Sequence, residues 1–417
     1  MDVELVTIGD ELLLGFTVDS NAAYLARALA SNGVRVVRHA TVGDDQRAIT
    51  DAVAQALVRT GRVITTGGLG PTSDDRTKDA VAAIFHRGMR FHEPIWESFV
   101  NLWKQRGYPG DPPNANRRQA MIPDGGTILQ NRHGTAPGVF LEDDRHRWVA
   151  MLPGVPRELR GMTHDVLLPL LQERGANGTV VRSLTIRTTG VAESRIADLL
   201  GPLGEGTPEM DVAFIPGADG VDVRLTSASR HPAESDRMLE AARREFLARI
   251  GTHVYGQDDD DLAAVVLSLA RDRRIRLAVA ESCTGGLLGG RLTSVPGASD
   301  VLAGGVIAYA NDVKVRELSV PESTIAKYGA VSEEVALAMA SGARRRFRVE
   351  LAIAITGIAG PDGGSDAKPV GTVWCAIDHT DRARTWRRVL PGDREEIRRR
   401  ATQMALSMTR QSILARD

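Results

Sequence analysis

Two separate stretches of this chain alternate short, wholly apolar runs with helix-length amphipathic ones, and that alternation limits the fold more than any single motif. In residues 1–171 the order is "VELVTIG", "SNAAYLARALASNG", "VRVVRHATVG", "RAITDAVAQALVRTG" and "RVITTGG". Strand, helix, strand, helix, strand is the signature of βαβ units. The strand runs are too apolar on both faces to be half-solvated, so the pattern predicts a parallel sheet covered by helices on both sides. Residues 258–417 repeat it with "LAAVVLSLARD", "IRLAVAES", "GGVIAYAND", "SEEVALAMASGARRRF", "VELAIAITG", "GTVWCAID" and a long final helix from about Arg394. Residues 177–255 differ, reading as strand, helix, hairpin and helix. The expected fold class is therefore α/β: two three-layer α/β/α domains, 1–171 and 258–417, joined by a small α+β module, 177–255. No internal repeat makes the two halves copies of each other.

Composition sets the class of protein. A chain of 417 residues exceeds what one core usually supports. With 42% hydrophobic and 25% charged residues it is an ordinary globular sequence, and its net charge of −1 gives no electrostatic footprint for nucleic acid. The clusters "RRRFR" from Arg344 and "RRR" from Arg398 read as solvated helix faces. Two cysteines, Cys283 and Cys375, make neither a disulfide framework nor a CxxC metal site and fit a reducing cytosol. No signal-peptide pattern opens the sequence and no run of about 20 apolar residues interrupts it, so a cytoplasmic protein with no membrane contact is expected.

Ligands of parallel sheets sit beyond the carboxyl ends of the strands, which directs attention to the loops there. "VITTGGLGPTSDDRT", Val63 to Thr77, follows the third strand and opens a helix. Gly67, Gly68 and Gly70, with Thr72, suit an anion approached by backbone amides at a helix start. Asp74 and Asp75 beside a phosphate would repel it unless a divalent cation lay between, so a metal-bridged phosphate is the coherent occupant. Asp10 and Glu11, Asn21, and Asp44 and Asp45 fall at other strand ends or helix starts and are candidates to line the same crevice. Each of these residues, taken alone, is equally explained as a helix cap.

The last segment carries two further glycine loops at strand ends. "AESCTGG" offers Ser282, Thr284, Gly285 and Gly286, and "ITGIAGPDGG" offers Thr356, Gly357 and Gly360. Together they suit a phosphorylated small molecule. Cys283 has no histidine between His253 and His379 to activate it, so a buried packing thiol is the expectation. A hydroxyl nucleophile has better partners: Ser299 precedes "GGVIAYAND", at whose end come Tyr309, Asn311 and Lys314. A neutral lysine can take a serine proton, and a tyrosine can orient the pair or donate to an oxyanion. A surface lysine and a capping serine are the plainer alternatives.

"GDELLLG", "TTGGLGPTSDDRT" and "LPGVPREL" resemble the molybdopterin-binding domain of the MoaB and Mog type, and within that group the N-terminal half of the CinA family (competence/damage-inducible protein A). "AESCTGG", "YAND.K", "GAVSEEV" and "ITGIAGPDGG.....PVGTVW" resemble the C-terminal domain of that family, the nicotinamide mononucleotide deamidase also called PncC. The resemblance implies two activities. The first domain is expected to hydrolyse ADP-ribose to AMP and ribose 5-phosphate with a divalent ion (cobalt, magnesium or manganese) held by Asp10, Asp74 and Asp75. The last is expected to convert nicotinamide mononucleotide to nicotinate mononucleotide and ammonia without a metal. Its catalytic residues fall on Ser299, Tyr309, Lys314 and Thr356, and a late arginine of the family falls on Arg394. In the family the middle module is K-homology-like, but no GXXG loop with basic flanks occurs here, so no direct nucleic-acid contact is expected. A homodimer is expected. The alternatives from other classes are a competence or DNA-damage adaptor and a pterin-binding module without catalysis.

Overall fold

The computed structural model describes residues 1–176, 178–217 and 220–415. The expected module boundary at Asn177 and the last residue, Asp417, lie outside the described residues. The chain divides into two compact units, Met1–Arg182 with Ser227–Arg237, and Ser183–Thr226 with Met238–Asp417.

The first unit contains β1 (Asp2–Ile8), β2 (Arg35–Val42), β3 (Arg62–Thr66), β4 (Met89–Phe91), β5 (Met121–Pro123), β6 (Thr127–Leu129), β7 (Gly138–Glu142) and β8 (Trp148–Leu152). Six of them form a sheet in the order β2-β1-β3-β8-β7-β6, while β4 and β5 pair separately. β1, β2, β3 and β8 are parallel. β7 and β6 are antiparallel additions, which corrects the expectation of a wholly parallel sheet. Residues 143–147 are too few for a crossover, so β7 and β8 form a hairpin. Asp143 closes it by accepting from the N–H groups of Arg145 and Arg147.

Alternation along the central strands builds three layers. Val149 and Met151 join Ile49, Val53 and Val81 in one apolar cluster, whereas Trp148, Ala150 and Leu152 join Leu25, Leu29 and Leu159 in another. Helices Ser20–Ala30 and Gln46–Thr60 start on Asp19 and Asp45, whose carboxylates accept from the N–H groups of Ala22 and Ala48.

In the second unit the strands are β9 (Val180–Thr188), β10 (Met210–Pro216), β11 (Val221–Ser229), β12 (Val254–Gln257), β13 (Leu277–Glu281), β14 (Leu302–Ile307), β15 (Leu351–Gly357), β16 (Thr372–His379) and β17 (Ala383–Val389), β9 and β11 each running partly into the first unit. The sheet β10-β11-β9-β12, with Ile196 and Phe246 buried against Ile186 and Leu225, forms a small α+β module. The second sheet runs β14-β13-β15-β16-β17, with β13, β14 and β15 parallel and β16 and β17 antiparallel.

Its two faces differ in kind. Ala278, Ala280, Ala352, Ala354 and Ala376 give a shallow face that admits helix Glu333–Phe347 through Met339 and Ala340. Val279, Ile353, Ile355 and Cys375 give a deeper face that packs Val266 and Ala405 of helices Leu262–Asp272 and Arg394–Leu414. On the shallow side a Cβ at Gly342 would lie 1.9 Å from the backbone oxygen of Leu318. Gly342→Ala is therefore expected to destabilise by about 1–3 kcal/mol, the cost typical of overpacking, despite alanine's better helix propensity. A thermal melt checks this, and an unchanged or higher Tm contradicts it. Among the described residues no helix is long and apolar enough to cross a membrane.

Candidate functional site

The carboxyl ends of β1, β3 and β8 open onto a cavity of about 570 Å³ lined by Glu11, Asn21, Asp44, Gly67, Gly68, Gly70, Asp74 and Asp75 among others. Thr72 and Asp10 do not line it themselves. Gly67 and Gly68 adopt positive φ, 106° and 67°, and a Cβ would meet Ile8 O at 2.1 Å on the first and Thr77 Oγ1 at 2.2 Å on the second. Close packing of the loop thus requires these glycines before any ligand is considered. Neither aspartate caps the following helix, Thr77–Ile84, whose N-cap is Arg76.

Asp75 braces the loop instead, accepting from Gly70 N–H at 2.7 Å, Thr72 N–H at 2.8 Å and the Thr72 hydroxyl at 2.5 Å. Thr72 and Asp75 are thus engaged with each other, while Asp75 also lines the cavity and Thr72 does not. Asn21 donates to Gly154 O at 2.7 Å and ties the first helix to the loop after β8. Asp10 and Asp44 exchange backbone-to-carboxylate hydrogen bonds at 2.9 and 3.2 Å. Burial pushes the Asp44 carboxyl above its usual range, aided by the charges of Asp10, Glu11 and Asp74. Like charges gathered this way favour a cation. Among the described residues no three His, Cys, Asp or Glu side chains converge as a closed metal centre. An ion bound through one or two carboxylates, with phosphate and water oxygens completing its shell, fits such an open donor set.

In the second unit the loops after β13, β14 and β15 meet at one edge of the sheet. Ser282 N–H donates to Ile355 O at 2.9 Å and Ala308 N–H to Glu281 O at 2.7 Å. Sequence reasoning missed Glu281. Its buried carboxylate accepts from the N–H groups of Gly286, Leu288 and Gly289 at 3.0, 3.0 and 2.7 Å, and so shapes the loop that holds Gly285 and Gly286 at φ 59° and 99°. Thr284 is fully buried and its hydroxyl has no partner among the described residues, while its carbonyl accepts from Arg398 at 2.8 Å. Arg398, first read as a solvated face, thus has a place beside the loop. Gly357 must lack a Cβ, which would lie 3.0 Å from Cys283 Sγ. Burial pushes the Cys283 thiol up to about 12, which leaves it without the thiolate that nucleophilic attack needs.

Lys314 is buried, 1% exposed, and its Nζ donates to Ala308 O at 2.9 Å and Tyr309 O at 3.0 Å. Burial lowers its pKa. A neutral amine has two N–H bonds and one lone pair, so with both N–H groups engaged the lone pair is left to accept a proton. Tyr309 is exposed, and its hydroxyl accepts from Arg394 at 2.7 Å; Arg394 also donates to Gly360 O at 2.6 Å. Thr356 donates its hydroxyl to Ala330 O at 2.8 Å. Ser282, Thr284, Tyr309, Lys314, Thr356, Gly360 and Arg394 are thus brought to one edge.

Ser299 is not among them, and the expectation that it stands beside Lys314 in the same chain is corrected. It lies exposed in the turn Ala298–Asp300 that precedes β14, where Arg271 donates to Gly297 O at 3.0 Å. β13 and β14 are parallel, so the crossover must return the chain to the starting edge before β14 begins. At about 3.3 Å per residue, β14 keeps Ser299 and Tyr309 roughly 16 Å or more apart.

Residues 4–173 match the family described as "Probable molybdopterin binding domain", 183–256 "Damage-inducible protein CinA KH domain" and 259–413 "CinA C-terminal domain". A CinA-like protein of Chlorobaculum tepidum is 39% identical over 419 residues, 97% of each chain. The crystal structure of competence/damage inducible protein CihA from Agrobacterium tumefaciens is 41% identical, covering 35% of this chain and 90% of its own at a TM-score of 0.35. A CinA-like protein of Gemmatimonas aurantiaca is 57% identical over 413 residues, 99% of this chain and 96% of its own length. Identity of that extent over nearly the full length of both proteins shows that this chain belongs to the CinA family.

Proposed function

We propose that the chain is a two-site hydrolase of pyridine-nucleotide salvage, with a nicotinamide mononucleotide deamidase in its last domain and an ADP-ribose hydrolase in its first. The observation that carries the first half is Lys314: a buried amine whose Nζ donates to Ala308 O and Tyr309 O, at an edge where two glycine loops and Arg394 suit a phosphorylated ligand. In the deamidation a hydroxyl attacks the carboxamide carbon, Lys314 takes the hydroxyl proton, and the same proton leaves with the departing ammonia. Water then hydrolyses the acyl ester to nicotinate mononucleotide. Tyr309, oriented by Arg394, donates to the developing oxyanion, and Thr356 and the amides of the "AESCTGG" loop hold the mononucleotide.

In the first domain Asp74 and Asp75, with Asp44 across the cavity and Asp10 hydrogen-bonded behind it, would hold a divalent ion, which when bound neutralises pyrophosphate charge and activates water. The chain's own part is to hold the phosphates in the cavity that Asn21, Gly67 and Gly68 line, beside the helix Thr77–Ile84. The match to a probable molybdopterin binding domain favours a second reading of this site, a pterin held by the same loops.

Chelation separates the two activities. With the full chain, EDTA is expected to stop AMP release from ADP-ribose and to leave ammonia release from nicotinamide mononucleotide unchanged. Ammonia release that falls with the metal contradicts the assignment of the second site, and tight pterin binding without ADP-ribose turnover replaces that of the first.

A further inference from the structure

A cavity of about 710 Å³ lies between the α+β module and the last domain, shares no lining residue with the cavity of the first domain, and is lined wholly by residues of the second unit. We propose that it binds a nucleoside monophosphate, with the phosphate at the start of helix Glu193–Leu200 and the base on a methionine-bearing face of helix Arg394–Leu414. This goes beyond the two activities given above and depends on neither.

The loop after β9 turns into helix Glu193–Leu200, which opens on Ala192 with no side-chain cap, and both Ala192 and Glu193 line the cavity. The N–H groups of a first helical turn have no partner inside the helix and carry its positive end, so they suit a phosphate. Ser407, on the last helix, points to a ligand independently. It is 1% exposed, lines the cavity, and its hydroxyl has no partner among the described residues. That hydroxyl stands against the same loop, since a Cβ on Gly190, which also lines the cavity, would lie 3.1 Å from it. A buried hydroxyl left unpaired is destabilising, and a bound acceptor relieves it. Arg400 lines the cavity as well, with its Nε enclosed and without an acceptor among the described residues. Arg388 adds a second guanidinium, against one carboxylate among the lining residues, the exposed Glu193.

The class of ligand follows from what stands beside these donors. Arg400, Met404, Ser407 and Met408 recur at helical spacing and so share one face of their helix. Met404 and Met408, with Leu390 at the end of β17, line the cavity with apolar surface. Thioethers adapt their shape to a partner and make favourable contacts with aromatic rings. An anion held by the helix start, Ser407 and Arg400, next to a face that takes a flat ring, describes a nucleotide, and the volume is that of a small-molecule site.

Methyl NMR of the full chain, with AMP as the probe, reads this cavity separately from the first domain. The Met404 and Met408 methyl signals, assigned by replacing each with leucine, are expected to shift saturably as AMP is added. Arg400→Met, which keeps an unbranched stem and removes the charge, is expected to weaken that binding at least ~10-fold. Adenosine lacks the phosphate and ribose 5-phosphate lacks the base, and each is expected to bind at least ~10-fold more weakly than AMP. Signals of Met404 and Met408 that AMP leaves unmoved, as binding in the first domain alone would leave them, overturn the proposal. Equal AMP affinity in Arg400→Met overturns it too, as does either half binding as tightly as AMP.

Ser407→Ala separates a binding hydroxyl from a structural one. It removes a buried group that has no partner among the described residues, so the Tm is expected to stay or rise while AMP affinity falls about 3–10-fold. A lower Tm with unchanged AMP affinity would show that the hydroxyl serves the fold and would overturn the anion site built on it.

Discussion

Lys314→Met is expected to lower ammonia release from nicotinamide mononucleotide by at least ~100-fold, the lower end of what general acid-base catalysis contributes. Methionine fills the buried space of the lysine stem and cannot move a proton. Two carbonyls, Ala308 O and Tyr309 O, lose their donor, so the melting curve must be recorded beside the rate. The pH profile separates a chemical role from a structural one. Burial lowers the Lys314 pKa from the ordinary lysine value of 10.5. Proton acceptance needs the neutral amine, so the wild-type rate rises with pH through that lowered value and reaches its plateau below pH 10.5. The linkage has the same sign: between the lowered pKa and 10.5 the unfolded chain binds more protons, so stability also rises with pH there. A rate that is flat or falling across that window contradicts a lysine base.

Glu281→Ala is the second large effect. Three backbone N–H groups lose their common acceptor in a buried setting, and at about 1–3 kcal/mol for each unsatisfied donor the loop cannot keep its shape. The variant is expected to melt at lower temperature and to lose binding of the mononucleotide. Glu281→Gln retains one acceptor oxygen and is expected to fall between. Wild-type stability and KM in Glu281→Ala would mean that the loop is held by other contacts.

Both α/β segments were legible in the sequence because short, wholly apolar runs such as "LAIAI" alternate cleanly with amphipathic helical stretches such as "AITDAVAQAL". The hairpin β7–β8 was legible in principle, since "DDRHR" is too short to be a crossover, although the all-apolar strands suggested a parallel sheet throughout. The site was legible only as a set of loops. Glu281 reads as the last residue of a strand, and nothing local says that its carboxylate turns back onto the amides that follow. Asp74 and Asp75 are adjacent in sequence and both line the cavity, but only Asp75 braces the loop by accepting from Gly70 and Thr72.

Ser299 shows a different limit. Its spacing to Tyr309 and Lys314 brackets one strand, and residues that bracket a parallel strand lie at opposite edges of the sheet. That rule was available from the pattern alone and argues against a single-chain triad. What the sequence lacked was the edge position of β14, which follows from sheet order.

The most direct test of the central claim is product analysis of nicotinamide mononucleotide incubated with the wild-type full chain, with Lys314→Met in parallel. The account expects nicotinate mononucleotide and ammonia in equal amounts from the wild type and neither from the variant. Unchanged nicotinamide mononucleotide with a correctly folded wild-type chain, or equal turnover by both proteins, would contradict it.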